Sequence, residues 1–367
     1  MAPSFRYEPD YAVAPGDSLR DTLGERGMTQ ADLAARTGLS LKHINQIAQG
    51  LAPITAETSL LFEKTTNVPA RTWNSLESLY RERLARQDNR EDLARDVEWL
   101  EHLPLKELIR RGRVTAGADK TKQVEEVCRF FGVADRERWQ KLWLTPLVSF
   151  RQSTAFAADS GSVAAWLRLG ELEASLIDTA PFDARAFKDA LAEIRALTIK
   201  DPRRALKQLT AICARAGVAV VFLTDIGKTR ASGAARWLTP TKALILLSDR
   251  YKSDDHFWFS FFHEAGHLLL HSKKETFISK DEKQAKKAAL DQQEEQEANA
   301  FARNQLIPRR YESQLPLLHT DADVEEFADE LGVAPGIVVG RLHNDGYWDW
   351  SKGNRLRETI DFGHLLK

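Results

Sequence analysis

His263-Glu264-Ala265-Gly266-His267 is the stretch that decides the fold of the C-terminal half of this 367-residue sequence. Residues four apart on a helix lie on one face, so His263 and His267 can direct two imidazoles at a single point. The carboxylate of Glu264 can reach a water on the metal without binding the metal itself. The pattern predicts a zinc-dependent hydrolase in which Glu264 activates a zinc-bound water and passes its proton to the leaving amine.

A catalytic zinc ion needs a third protein ligand, and a second predicted helix, Gln292 to Leu306, offers one. Glu297 is the preferred candidate because its small and apolar neighbours indicate a tightly packed helix. Glu294, one turn earlier, stays open as the alternative. His271 lies roughly 6 Å beyond His267 along the helix and is predicted to be a solvated residue at the helix end. Zn²⁺ is the predicted metal, with Mn²⁺ as an alternative activating ion.

The region from about residue 160 to residue 345 resembles the ImmA/IrrE family of zinc metallopeptidases. The matching stretches are His-Glu-Ala-Gly-His-Leu-Leu-Leu-His at 263–271, Glu-Ala-Asn-Ala-Phe-Ala-Arg-Asn-Gln-Leu-Ile-Pro at 297–308 and Leu-Gly-Val-Ala-Pro-Gly-Ile-Val-Val-Gly-Arg-Leu at 331–342. The resemblance implies zinc ligands at His263, His267 and Glu297. It also implies Glu264 as the base and a transcriptional repressor as the typical substrate. Asn304-Gln305 departs from the apolar residues usual in the family and leaves the subfamily open.

Residues 28–50 predict a helix-turn-helix, with one helix starting at Thr29, a turn at Gly38 and a second helix starting at Ser40. Asp32, three residues after Thr29, predicts a variant of the capping box. The second helix presents side chains that suit base edges in the major groove, and the first begins with side chains that suit phosphates. The base-reading candidates are Ser40, Lys42, His43, Asn45 and Gln46, and the phosphate-binding candidates are Thr29 and Gln30.

Residues 16–86 resemble the HigA-like antitoxins of the Xre helix-turn-helix class. The matching stretches are Pro-Gly-Asp-Ser-Leu-Arg at 15–20, Thr-Gln-Ala-Asp-Leu-Ala at 29–34, Lys-His-Ile-Asn-Gln-Ile at 42–47 and Pro-Ile-Thr-Ala-Glu-Thr at 53–58. The resemblance implies that the protein binds double-stranded operator DNA as a homodimer.

The predicted fold is mainly α with a small β-sheet (α+β), combining a five-helix helix-turn-helix domain with a zincin-like metallopeptidase domain. Buried-strand patterns occur at Val218–Leu223 and Ala243–Leu247, with a shorter strand predicted between Ser232 and Thr239. The strand at Ala243–Leu247 is predicted to lie at a sheet edge, where it would bind a substrate backbone. The predicted divisions are a tail at 1–15, the DNA-binding domain at 16–86, a helical linker or subdomain at 87–160, the peptidase domain at 161–345 and a C-terminal extension at 346–367.

Composition limits the function in simple ways. Lys plus Arg number 52 and Asp plus Glu number 53, so DNA binding has to come from local charge rather than from the whole protein. Two cysteines supply no disulfide framework. The N-terminal residues lack a signal-peptide pattern and no stretch is apolar enough for a membrane span, so the sequence predicts a cytoplasmic protein with no membrane partner.

Two functions fit these patterns. The first is a DNA-binding transcriptional regulator whose zinc-dependent endopeptidase domain cleaves a partner repressor or antitoxin. The alternative is a helix-turn-helix regulator or antitoxin whose zinc site is structural or sensory and not proteolytic. Glu264 favours the first function, because a purely structural zinc site needs no general base.

Overall fold

The computed structural model describes residues 13–144, 154–224, 226, 229, 231–271, 277–280 and 289–362. The chain divides into two compact units, Met1–Val97 and Glu98–Lys367. The division thus lies beyond the predicted boundary at residue 86, and most of the predicted linker belongs to the second unit. No helix in the described part of the chain is both long and apolar enough to span a membrane.

The first unit contains the five predicted helices: α1 (Pro15–Glu25), α2 (Gln30–Thr37), α3 (Leu41–Ala48), α4 (Ala56–Thr66) and α5 (Ala70–Arg95). Thr29 caps α2 through the predicted capping box, since its hydroxyl accepts from the Asp32 backbone and its own backbone N–H donates to the Asp32 carboxylate. Gly38 ends α2 at a φ of 76°, a backbone conformation that residues other than glycine rarely adopt. Ser40 caps α3 by accepting from the backbone N–H of His43.

Apolar side chains at helical spacing fix the arrangement of α2 and α3. Leu33, Ile44 and Ile47 are at most 1% exposed, as expected for apolar side chains on the inner faces of amphipathic helices. Phe62 of α4 meets Trp73 of α5 edge to face, with ring centroids 5.6 Å apart. Because the apolar face of α3 packs into this core, its polar side chains face away from the core.

The second unit is built from helices around one sheet. The site lies on two of them, Asp254–Leu270 (the histidine helix) and Ala289–Leu306 (the glutamate helix). The other α-helices are Leu105–Arg110, Lys120–Phe131, Arg136–Trp139, Thr154–Ser175, Ala184–Arg195, Pro202–Arg215, Asp321–Leu331 and Pro335–Asn344. The 3₁₀-helices are Val97–His102, Arg309–Leu317 and Asn354–Leu356, and Gln140–Leu144 forms a π-helical turn.

The sheet contains β1 (Val218–Leu223), β2 (Ala231–Thr239), β3 (Lys242–Ser248) and β4 (Phe277–Lys280), in the order β1-β3-β2-β4. β1 and β3 run parallel, whereas β2 is antiparallel to both β3 and β4. The three predicted strands are confirmed, but β3 lies inside the sheet. The prediction that this strand forms an edge is therefore wrong, because its backbone groups already pair on both sides.

The sheet is buried on both faces, which explains why β1 and β3 read as continuous apolar runs. On one face, Ile245 and Leu247 join Phe261 in the main core under the histidine helix. On the other face, Gly170 lies over Leu246 so closely that a Cβ there would be 2.5 Å from its side chain. The histidine helix thus packs on one face of the sheet, and the helix that carries Gly170 packs on the other.

Residues 346–362 of the predicted C-terminal extension contribute to this core. Trp348 is 5% exposed and its indole N–H donates to the Leu318 carbonyl at 2.8 Å. Thr359 forms a bridge with Ser253 just before the histidine helix, and Phe362 packs into the core. These residues support the start of the histidine helix.

Asp254, the first residue of the histidine helix, gives the stability of this region a pH dependence. Burial, reinforced by the charge of Asp255, raises its pKa from 3.8 to about 7. The folded protein then holds a proton that the unfolded chain has lost, so the contribution of Asp254 to stability is largest in acid and is lost as the pH rises from about 4 to 7. Asp254→Asn is expected to abolish this fall, which is up to about 4 kcal/mol in total and roughly 3 kcal/mol between pH 5 and pH 8. Urea unfolding at pH 5 and pH 8 measures it.

The exposed Asp329 provides the control. Asp329→Asn should leave the difference between the two pH values as in the wild type. An Asp254→Asn variant that loses as much stability between pH 5 and pH 8 as the wild type would contradict the assignment.

Candidate metal centre

The histidine helix brings His263 and His267 together as the sequence predicts. Their Nε2 atoms lie 2.9 Å apart, and the two residues are 3% and 1% exposed. Gly266, between them, faces the glutamate helix. A Cβ at Gly266 would lie 3.3 Å from the Ala298 Cα, so the glycine lets the two helices approach closely. The small residue in the motif therefore brings a second set of side chains to the histidines.

Glu295 completes the cluster, in place of the predicted Glu297 or the reserve Glu294. Its carboxylate oxygens lie 3.4 Å from the Nε2 atoms of both His263 and His267. Glu297 is placed to the side, with its side chain 46% exposed and next to His271. The buried face of this helix contains Ala298, Ala302 and Leu306. Glu294 and Glu295 both lie one turn before Ala298 next to that face, and the structure places Glu295 at the histidines, whereas Glu297 lies to the side.

The geometry of the cluster suits a zinc ion. Ligands at the usual zinc distances of about 2.0–2.2 Å lie roughly 3.3–3.6 Å from one another in a tetrahedron. The two separations from Glu295 fall in this range, and His263 to His267 is somewhat shorter. All three ligand atoms lie within 4.8 Å of one another. Two His and one Glu are a donor set that zinc favours.

The electrostatics of the cluster also favour a cation. Burial would raise the pKa of Glu295, but hydrogen bonds and charges from the two histidines outweigh it and lower the pKa to about 2. Burial lowers the pKa of His267 to about 4 despite the attraction of Glu295. Burial would also lower the pKa of His263, but Glu295 and Glu264 raise it overall. An ionised carboxylate and a neutral imidazole thus converge on one point.

Each histidine has a partner behind it. The Nδ1–H of His263 donates to the Asn299 side-chain oxygen at 2.9 Å, which leaves its Nε2 lone pair for the cluster. The Nδ1 of His267 lies 3.0 Å from the Nδ1 of His271. The prediction that His271 is solvated is therefore wrong, since the side chain is 3% exposed and contacts the cluster.

Glu264 is fully buried and lies against the sheet. A Cβ at Gly233 of β2 would be 2.6 Å from its Oε1 atom and 2.9 Å from its Cγ. Because Gly233 has no side chain, the Glu264 side chain can occupy this space. Glu264 lies one helical turn before His267. Sequence reasoning missed this role, although a glycine inside a strand is a known sign of a close approach.

Three other side chains carry groups that could donate a hydrogen bond to a developing oxyanion: Tyr251, His256 and His343. Tyr251 and His256 stack with ring centroids 4.4 Å apart and line a cavity that also includes Ser260. His256 is seven residues before His263, or about 10 Å along the helix, so its backbone is distant from the cluster. His343 directs its Nε2 to the Lys352 carbonyl at 2.8 Å. The structure therefore gives none of the three a direct place in the cluster.

The predicted DNA-binding residues lie at the start of α2 and from the cap of α3 along that helix. Lys42 and Asn45 are exposed on α3, whereas His43 and Gln46 are half-buried. The half-buried Gln30 begins α2. Ser40 and Thr29 are exposed but their hydroxyls are also used as helix caps. The strongest candidates for base contacts are thus Lys42 and Asn45.

Comparisons with known families match both the region of the metal cluster and the helix-turn-helix. Residues 213–343 match the IrrE N-terminal-like domain of the M78 peptidase family. Residues 19–73 match a helix-turn-helix family. No curated protein matches the chain significantly. The matched region 213–343 contains both site helices, and residues 19–73 contain α2 and α3.

Proposed function

The chain joins a helix-turn-helix domain to an IrrE N-terminal-like metallopeptidase domain, and we propose that it is a DNA-binding regulator that cleaves a partner repressor or antitoxin. The observation that carries the proposal is the convergence of His263, His267 and Glu295 beside the buried Glu264. A structural zinc site is usually closed by four protein ligands. Among the described residues this group offers three, which leaves a position for water or substrate.

The residues divide the chemistry between them. His263, His267 and Glu295 would hold a zinc ion, which supplies a Lewis acid that acidifies a water and polarises a carbonyl. Glu264, on the same helix, takes the proton of the attacking water and delivers it to the leaving amine. Its position against Gly233 restricts the carboxylate to few orientations, which favours a reproducible proton transfer.

The peptide substrate is proposed to extend the sheet along β4. In the described residues β4 pairs with β2 alone, so its other backbone edge is available. β2 also carries Gly233, next to Glu264. An extended segment added to β4 would therefore run on the side of the sheet nearest to the catalytic carboxylate.

The test of the proposal is direct. The purified chain, supplied with Zn²⁺ or Mn²⁺, is incubated with the repressor or antitoxin proteins encoded next to its gene, and products are identified by mass spectrometry. Cleavage at one defined bond is expected, and it should stop with a chelator. Intact partners with both metals would overturn the peptidase proposal.

One observation favours the alternative of a non-proteolytic metal site. Glu264 is 0% exposed, and His263 and His267 are 3% and 1% exposed. A peptidase needs water and substrate to reach these side chains, whereas a sensory or structural metal site does not. The side chain of Glu295 is 23% exposed, so the cluster has an approach from that side. Zinc that binds tightly without any cleavage, together with metal-dependent DNA binding, would support this sensory function.

The operator-binding part of the proposal predicts a measurable loss for Lys42→Ala and Asn45→Ala. Each removes an exposed side chain of α3, and each base contact is worth about 1–3 kcal/mol. Binding to the DNA upstream of the protein's own gene should weaken by roughly 5- to 150-fold for each variant, measured by fluorescence anisotropy at fixed salt.

Lys64→Ala is the matched control, since it removes the same charge from the exposed surface of α4. It should leave affinity within about twofold of the wild type. Equal losses for Lys42→Ala and Lys64→Ala would show that α3 is not the reading helix.

A further inference from the structure

The second histidine of the cluster is backed by a chain of two more side chains. His267 Nδ1 lies 3.0 Å from His271 Nδ1, and His271 Nε2 lies 3.2 Å from Glu297 Oε2. Gln293 donates to the other carboxylate oxygen of Glu297 at 2.9 Å. This series of hydrogen bonds connects the histidine helix to the glutamate helix through His271.

Hydrogen-bond chemistry fixes the direction of this chain when His267 uses Nε2 as a ligand. Its Nδ1 then carries the proton and donates it to the Nδ1 of His271. The remaining ring proton of His271 lies on Nε2 and is donated to the Glu297 carboxylate. Each ring N–H in this series therefore has an acceptor, and the last acceptor is the negatively charged Glu297 carboxylate.

We propose that His271 and Glu297 are positioning residues that hold His267 in the tautomer and ring orientation needed to bind the metal. The inference rests on the metal site of the proposed function. Asn299 plays the corresponding part for His263 with a neutral amide oxygen. His267 differs because its acceptor is itself bonded to a carboxylate, which makes the imidazole a stronger donor to a cation.

The arrangement explains two features of the sequence that the three ligands leave unused. His271 follows His267 by one helical turn, just past the end of the histidine helix. There the chain leaves the helix in an extended conformation, with a ψ of 173° at His271. Glu297 lies two residues beyond Glu295, and this offset places the two carboxylates at different histidines.

The test measures zinc affinity by competition with a chromophoric chelator, using the full chain. His271→Ala is expected to weaken zinc binding by about 100-fold and Glu297→Ala by about 10-fold. The double variant should stay near 100-fold rather than reach 1,000-fold, because Glu297 acts through His271. Glu326→Ala, which removes an exposed carboxylate elsewhere, should leave zinc affinity unchanged.

A second readout separates positioning from a general structural effect. In zinc-loaded protein labelled with ¹⁵N-histidine, the His267 Nδ1 proton should give a hydrogen-bonded signal. That signal should be lost in His271→Ala and partly restored in His271→Gln, whose amide oxygen can accept. Unchanged zinc affinity and an unchanged signal in His271→Ala would overturn the proposal.

The outcomes also separate this inference from the proposed function. Tight zinc binding that weakens in the predicted order, without cleavage of any partner, would support the positioning chain and contradict the peptidase. Cleavage of a partner, with a zinc affinity that is unchanged in His271→Ala, would support the peptidase and contradict the positioning role. A wild type that binds no zinc would contradict both.

Discussion

Glu264→Gln is expected to lower the rate of partner cleavage by about 10²–10⁴-fold while the protein still binds zinc with wild-type affinity. The amide has nearly the shape of the carboxylate but cannot take a proton from water. Glu264 is not among the three clustered ligands, so its charge should matter for chemistry far more than for metal retention. Cleavage is followed by gel densitometry and zinc content by plasma mass spectrometry.

Two companion variants sharpen this experiment. Gly233→Ala adds a Cβ 2.6 Å from Glu264 Oε1 and should also lower cleavage at unchanged zinc content, because it displaces the carboxylate. Glu326→Gln makes the same chemical change on an exposed helix face and should have no effect. Loss of zinc from Glu264→Gln would show that Glu264 is a ligand and not the base.

The sequence predicts the histidine pair well because both candidate ligands lie on one helix. Spacing along a single helix determines which face each residue occupies, so His263 and His267 can be placed without knowledge of the rest of the fold. The helix-turn-helix is equally predictable for the same reason. Its turn at Gly38 and its caps at Thr29 and Ser40 are local features.

The third ligand was harder to predict because it depends on which face of the glutamate helix meets the histidines. Treating Ala298 and Ala300 as the packed residues favoured Glu297, but Ala300 is exposed in the structure. Ala298 and Ala302 mark the buried face, and both Glu294 and Glu295 lie one turn before it, so periodicity alone does not choose between them. The position of β3 inside the sheet was missed because pairing between distant strands has no local sequence signal.

The role of Gly233 illustrates the same difficulty. Gly233 lies in β2, and its contact with Glu264 exists only after the sheet and the histidine helix have packed. The strand pattern showed that the glycine was unusual, but not which side chain would lie over it. Sequence reasoning thus identified the chemical groups, and the packing between elements decided how they are combined.

Glu295→Ala is expected to cost far more zinc affinity than Glu297→Ala. If a zinc-binding free energy of about 10–16 kcal/mol is shared equally among four ligands, the three side chains and a water, each contributes about 2.5–4 kcal/mol, or roughly 10²–10³ in affinity. Glu295 lies 3.4 Å from the ligand atoms of both histidines, whereas Glu297 reaches the cluster only through His271. Chelator competition on the two variants side by side measures the difference.

The control and the contrary outcome are specific to this pair. Glu294→Ala, on the same helix, should stay within about twofold of the wild type, since its carboxylate is not among the clustered ligands. A larger loss for Glu297→Ala than for Glu295→Ala would restore the sequence-based choice of ligand. It would also contradict the positioning role of Glu297, because one carboxylate cannot bind the metal and support His271 in the arrangement seen here.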